Sequence, residues 1–148
     1  QAVYPSVVRG SDSVVSMERQ LSERLKTDIS VIHAASELDA DGNWQDINLD
    51  GDFSSFIWVK NLGQVTLDSI ESCDVFFGPE GNWARIPCEN EAEGSYPYWT
   101  WELENAETWE PTATLKITIH DLSVAESGRY LIKVTTQNGI SDELLFGM

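Results

Sequence analysis

The sequence predicts an all-β fold, an immunoglobulin-like antiparallel β-sandwich with an N-terminal amphipathic α-helix, and three features near its C-terminal end carry that reading. Leu115, Ile117 and Ile119 alternate with Lys116, Thr118 and His120, the period of two that writes a strand with one buried and one wet face. Beyond a polar corner, Gly128-x-Tyr130 stands where immunoglobulin-type chains place a tyrosine whose ring enters the core and whose hydroxyl ties back to the corner backbone. Asn138-Gly139 then suits a two-residue turn with two positive φ values, pairing Thr136 with Ser141 and Val134 with Glu143. Ile132 occupies the place of the second cysteine of antibody domains, so any disulfide here is placed differently.

Residues 1 to 30 read as a helical segment and 31 to 148 as the sandwich. Val14, Met17, Leu21 and Leu25 recur at steps of three and four, with Ser11 or Asp12 able to cap the first amides. Tyr4-Pro5 cannot lie inside a helix. The β-branched run ISVIHAA reads as a first strand, and FSSFIWVKNLG as a second, reached through the polar connection DADGNWQDINLDGD. Within that connection Asp46-x-Asn48-x-Asp50-Gly51 has the front half of an EF-hand-type calcium loop, but position twelve is Ile57 rather than a bidentate glutamate. Aspartate, asparagine and glycine also build ordinary turns, so turn and calcium readings both stand, and no metal ligand set is assigned.

In SCDVFFGPEGNWARIPC the Gly-Pro-Glu-Gly run centres a hairpin near Glu80 and Gly81. Counting outward sets Phe77 opposite Ala84, Val75 opposite Ile86 and Cys73 opposite Cys88, all on one apolar face. The register predicts a Cys73–Cys88 disulfide, a loop closure contributing on the order of 3 kcal/mol, in an extracytoplasmic or hyperthermophilic setting. The acidic stretch CENEAEGS leads to YPYWTWELE, where Trp99, Trp101 and Leu103 share one face and Tyr98, Thr100 and Glu102 the other. That alternation predicts a core role for Trp99 and Trp101 and leaves Trp44, Trp83 and Trp109 unassigned.

The charge balance narrows function. Against 25 acidic residues stand 9 basic ones, a formal net charge of −16, and residues 1 to 30 are balanced, so the excess belongs to the sandwich. Such a field repels nucleic acid and anionic lipid. His33 lies in an apolar run and His120 on a wet strand face, neither beside a nucleophile motif, and neither a glycosidase-type carboxylate pair nor a phosphate loop occurs. No enzyme, catalytic residue or cofactor is therefore predicted. The chain has no apolar run long enough to span a bilayer and starts with Gln, from which a processed start and a removed N-terminal segment are expected.

In order and spacing, FIWVKNLG at 56 to 63, DVFFGPEG at 74 to 81, Trp99, Trp109-x-Pro111-x-x-Thr114, Gly128-x-Tyr130 and Asn138-Gly139 resemble the FlaG family of archaellum accessory proteins, the archaellum being the archaeal flagellum. The VKNLG block is similar to segments of archaellins and of the sister protein FlaF as well, and YPSVVRGSDSVV is similar to the stretch after that family's N-terminal hydrophobic helix. The resemblance implies a non-enzymatic stator component of the motility machinery in the cell envelope, between membrane and surface layer, held to the membrane only through the missing hydrophobic helix. It implies self-association, pairing with FlaF and, through FlaF, contact with the surface-layer protein. It assigns no contact residues. Two rivals carry their own tests: an archaellin filament subunit would appear in sheared filaments, and a calcium-dependent adhesion or sugar-binding module would use the aspartate loop and exposed tryptophans.

Overall fold

The structure, a computed structural model, describes residues 25 to 148. Eight strands, β1 (Ile29–Ser36), β2 (Phe53–Asn61), β3 (Asp74–Pro79), β4 (Ala84–Ile86), β5 (Tyr98–Glu104), β6 (Thr114–Asp121), β7 (Arg129–Thr135) and β8 (Ser141–Gly147), form two antiparallel four-stranded sheets. The orders are β1-β2-β6-β5 and β4-β3-β7-β8. This is the strand order of an immunoglobulin-type sandwich with one strand added beside the third. One helical turn, α1 (Glu89–Ala92), precedes β5. Of the helix expected on Val14, Met17, Leu21 and Leu25, the first three lie outside the described residues, and Leu25 is 87% exposed rather than packed on the sandwich.

Alternation decides the core. Ile57 and Val59 of β2, Leu115, Ile117 and Ile119 of β6, Val75 of β3 and Ile132 and Val134 of β7 meet between the sheets, each at most 1% exposed. β3 and β4 pair Val75 with Ile86 and Phe77 with Ala84, the register that the Gly-Pro-Glu-Gly turn sets. β1 carries a bulge between Val31 and His33, where Ile32 is turned outward and the Val31 N–H donates to Asp142 Oδ2 of β8 at 2.8 Å. An inward carboxylate thus ties the edge of one sheet to the edge of the other.

The last hairpin departs from expectation by one residue. Thr135 pairs with Ser141 and Val134 with Asp142. The loop is three residues long: Thr136 N–H donates to the Ile140 carbonyl at 2.7 Å, and only Gly139 takes a positive φ, of 89°. Asn138 stays out of the left-handed region because its side chain is engaged, accepting from Thr136 Oγ1 at 2.5 Å and donating to Thr27 Oγ1 at 2.7 Å. A one-residue slip reverses faces, so Leu144 and Phe146 pack on the core and Leu145 is exposed.

Trp99 is in the core at 1% exposure, and Trp109 is fully buried. Trp101 shares the face of Trp99 on edge strand β5 yet is 37% exposed, while Leu103 further along that face packs against the core.

The expected disulfide is not formed: Cys73 and Cys88 are buried free thiols. Strand pairing ends at Val75 and Ile86, and the Pro87 carbonyl accepts from Trp99 N–H at 3.0 Å, which draws Cys88 into a bridge with β5. Burial, with Asp74 and Cys88 close by, pushes the Cys73 thiol up to about 12, and burial also raises Cys88. Both thiols are therefore expected to resist alkylation in the native protein and to react in denaturant without reductant; mass analysis reads the adducts, and chains left unmodified in denaturant would reveal a bonded form.

Tyr130 is buried, and its hydroxyl donates to the Glu126 carbonyl at 2.7 Å. Its ring stacks on Phe77 at 5.7 Å. Tyr130→Phe is expected to cost about 1 kcal/mol through the lost hydrogen bond, and Tyr130→Ala about 3 kcal/mol through the cavity. Denaturant unfolding of the two variants checks the difference.

Candidate functional site

The two ends of the sandwich, about 30 Å apart along the nine residues of β2, are built differently. At one end the chain enters. The β1–β2 ladder continues past Ile29, since the Asp28 and Lys26 carbonyls accept from Leu62 N–H at 2.8 Å and Gln64 N–H at 2.7 Å. Gly63 sits between these bonds, and a Cβ there would meet the Lys26 carbonyl at 2.3 Å, so only glycine fits. Fully buried Asn61 organises this end. Its Nδ2 donates to the Val65 and Trp109 carbonyls at 2.9 and 3.0 Å, and its Oδ1 accepts from Gly63 N–H at 2.9 Å. The Asn61-Leu62-Gly63 block is thus a backbone clamp. Beside it a cleft of about 750 Å³ lies between Val65–Ser69 and the 136–139 turn, with Cys73 in its wall.

At the opposite end the connection from β1 to β2 is folded around Glu37. This carboxylate is fully buried and accepts from Ser54 N–H (2.7 Å), Ile47 N–H (2.8 Å), Asn48 N–H (3.4 Å) and Trp44 Nε1–H (3.0 Å). Four convergent donors replace the hydration that a buried carboxylate loses. Within the loop so held, Asp46 Oδ2 accepts from Gly51 N–H at 2.9 Å, and Asn48 Nδ2 donates to Asp50 Oδ2 at 2.8 Å. Asp46, Asn48 and Asp50 therefore stitch a turn and do not converge as an EF-hand would require.

Asp50 instead meets Asp52 and His120. Ser54 pairs with His120 across β2 and β6, which brings the imidazole level with the head of β2. His120 Nδ1 lies 3.1 Å from both Asp52 oxygens and 3.4 Å from Asp50 Oδ2. Its Nε2 is 2.8 Å from Thr100 Oγ1, and Tyr98 stacks on the ring at 4.8 Å. Burial, with Asp50 close by, raises the Asp52 carboxyl against the pull of His120. Burial opposes ionisation of Asp50 too, but hydrogen bonds from Asp52 and Ser54 outweigh it and hold that carboxyl below its ordinary range. Neighbouring carboxylates separate in this way when both cannot ionise freely. Two features were missed from sequence: the Glu37 hub, which has no local motif, and the partnership of Asp52 with His120, which needs the β2–β6 register.

No family model matches the chain. An uncharacterised protein of Archaeoglobus fulgidus is 26% identical over 145 residues, covering 93% of this chain and 80% of that protein. The archaellum periplasmic stator protein FlaG from Sulfolobus acidocaldarius superposes with a TM-score of 0.63 at 23% identity, over 81% of this chain and 99% of that one. The chain folds like FlaG. The complex of FlaF and FlaG from the same organism contains a chain matching at a TM-score of 0.56, also 23% identical, over 80% of this chain and 87% of that one. The archaeal flagellin FlaB1 of Methanocaldococcus jannaschii matches at 0.59 with 8% identity, over 82% and 90%. At these identities the FlaG likeness is one of fold, and flagellin shares it.

Proposed function

We propose that this chain is an extracytoplasmic, non-catalytic component of the archaeal motility machinery, a FlaG-type stator protein that works by assembly with its own copies and with a FlaF-type partner. The observation that carries the reading is that its sandwich accounts for 99% of the solved FlaG chain, a periplasmic stator protein, and matches the FlaF–FlaG complex as well. The chemistry of the surface agrees. Beyond its bridge to Cys88 at Trp99, β5 offers an open edge bearing exposed Trp101, a geometry for pairing with another chain. The filament-subunit reading is favoured by the flagellin match alone.

Assembly is expected to be concentration-dependent and to strengthen with salt. Repulsion between bodies of charge −16 opposes it, and the screening length falls from about 30 Å at 0.01 M salt to about 3 Å at 1 M. Sedimentation equilibrium across that range, alone and with the organism's FlaF-type protein, checks this. A strict monomer that ignores the partner throughout would remove the stator reading, and recovery of the protein in sheared filaments would favour the filament subunit.

A further inference from the structure

The geometry points to a divalent transition-metal site formed by Asp50, Asp52 and His120 at the end of the sandwich away from the chain's entry. The inference goes beyond the stator reading and does not depend on it. Three carboxylate oxygens, both of Asp52 and Oδ2 of Asp50, converge on the single Nδ1 of His120 at 3.1, 3.1 and 3.4 Å. One N–H cannot serve three acceptors. The spacings also exceed the 2.7–2.9 Å typical of an imidazolium–carboxylate hydrogen bond. They match the separation of adjacent ligands around a cation, since bonds of about 2.1 Å place neighbouring donors about 3 to 3.5 Å apart.

The surroundings suit such a cation. His120, Asp52 and Asp50 side chains are 12%, 10% and 27% exposed, so ligands would be largely withdrawn from water while a side remains open to it. With the ring proton on Nε2 donating to Thr100 Oγ1, the Nδ1 lone pair is free to ligate, the arrangement that fixes the tautomer of metal-bound histidines. Ser54 Oγ lies 3.2 Å from Asp50 Oδ2 and from Asp52 Oδ1, and its one proton can serve either carboxylate but not both at once. Tyr96 donates to Asp52 Oδ2 at 3.4 Å. Separately, Asp46 Oδ1 in the same loop is buried without a partner, a sign that this loop holds more carboxylate oxygen than protein donors can satisfy. An imidazole nitrogen among carboxylates selects Zn²⁺ or Mn²⁺ over Ca²⁺ and Mg²⁺, which favour oxygen alone. A bound ion would join β6 to the head of β2 and the Glu37-held loop.

Calorimetric titration of the chelator-treated chain with Zn²⁺, at 0.15 M salt to screen diffuse binding, tests this, with Ca²⁺ and Mg²⁺ in parallel. The expected result is one saturable Zn²⁺ per chain and a raised melting temperature. Affinity should fall about tenfold or more in Asp52→Asn and in His120→Gln, while His33→Gln, which alters the other histidine, 5.1 Å from Trp58, retains it. Co²⁺ substitution gives a second readout that needs no variant, since ligand-field bands of a nitrogen–oxygen shell should appear at one equivalent. Absence of saturable 1:1 binding, affinity unchanged by both ligand variants, or preference for Ca²⁺ indifferent to His120→Gln would each overturn the assignment.

Discussion

Glu37→Ala is expected to destabilise the protein by about 4 kcal/mol, because it removes the one acceptor on which four buried or half-buried donors converge. Each orphaned donor costs about 1–3 kcal/mol, and relaxation of the loop toward water recovers part of that. Glu37→Gln keeps the shape and one oxygen but turns an NH2 toward N–H groups, so about 2 kcal/mol is expected. Urea unfolding measures both. Trp44, tethered through its indole to Glu37 and already 39% exposed, should report loop release as a red shift in fluorescence in the alanine variant. If Glu37→Ala were as stable as the parent, the loop would be held by something other than this carboxylate.

Trp109→Ala is expected to cost about 4 kcal/mol, in the range for emptying a fully buried indole site. The companion variant sharpens it. Trp109 Nε1–H is buried without a hydrogen-bond partner, so Trp109→Phe gives up volume but no bond and should cost less than about 1.5 kcal/mol. A large loss in the phenylalanine variant would mean that the indole N–H is bonded in solution. The backbone of Trp109 has a separate role, since its carbonyl accepts from Asn61 Nδ2 and from Leu67 N–H, and neither substitution touches those bonds.

Local chemistry made the hairpins legible. The Gly-Pro-Glu-Gly turn sets the β3–β4 register because Val75 and Ile86 can be buried together in only one alignment. The same alignment did not bond Cys73 to Cys88, since Pro87 breaks the ladder and hands its carbonyl to Trp99, a partner distant in sequence. At the last hairpin, Asn138-Gly139 admits a two-residue turn by dipeptide rules, but the Asn138 side chain is claimed by Thr136 and by Thr27, more than a hundred residues away. Trp99 and Trp101 carry identical local signals, and what separates them is tertiary: Trp99 is bridged to Cys88 and buried, and Trp101 is not. The His120 cluster was invisible for a related reason. Asp50 reads as a turn or calcium-loop residue and Asp52 as part of a polar connection, and only the pairing of Ser54 with His120 reveals what they face.

The clamp at Asn61, Leu62 and Gly63 bears on mechanics. If the protein serves as a stator, torque reaching it through residues 25 to 28 runs into β1 parallel to the strands, and the ladder from Lys26 to Ser36 meets that pull side by side rather than bond by bond. Bonds loaded together in shear must fail nearly at once, whereas a peeled edge fails one link at a time. The weak point of that ladder is the bulge at Ile32, where registry is interrupted. There the Val31 N–H leaves the plane of its own sheet for Asp142, so tension arriving at the interruption is passed to the second sheet, and the whole body of the domain shares the strain.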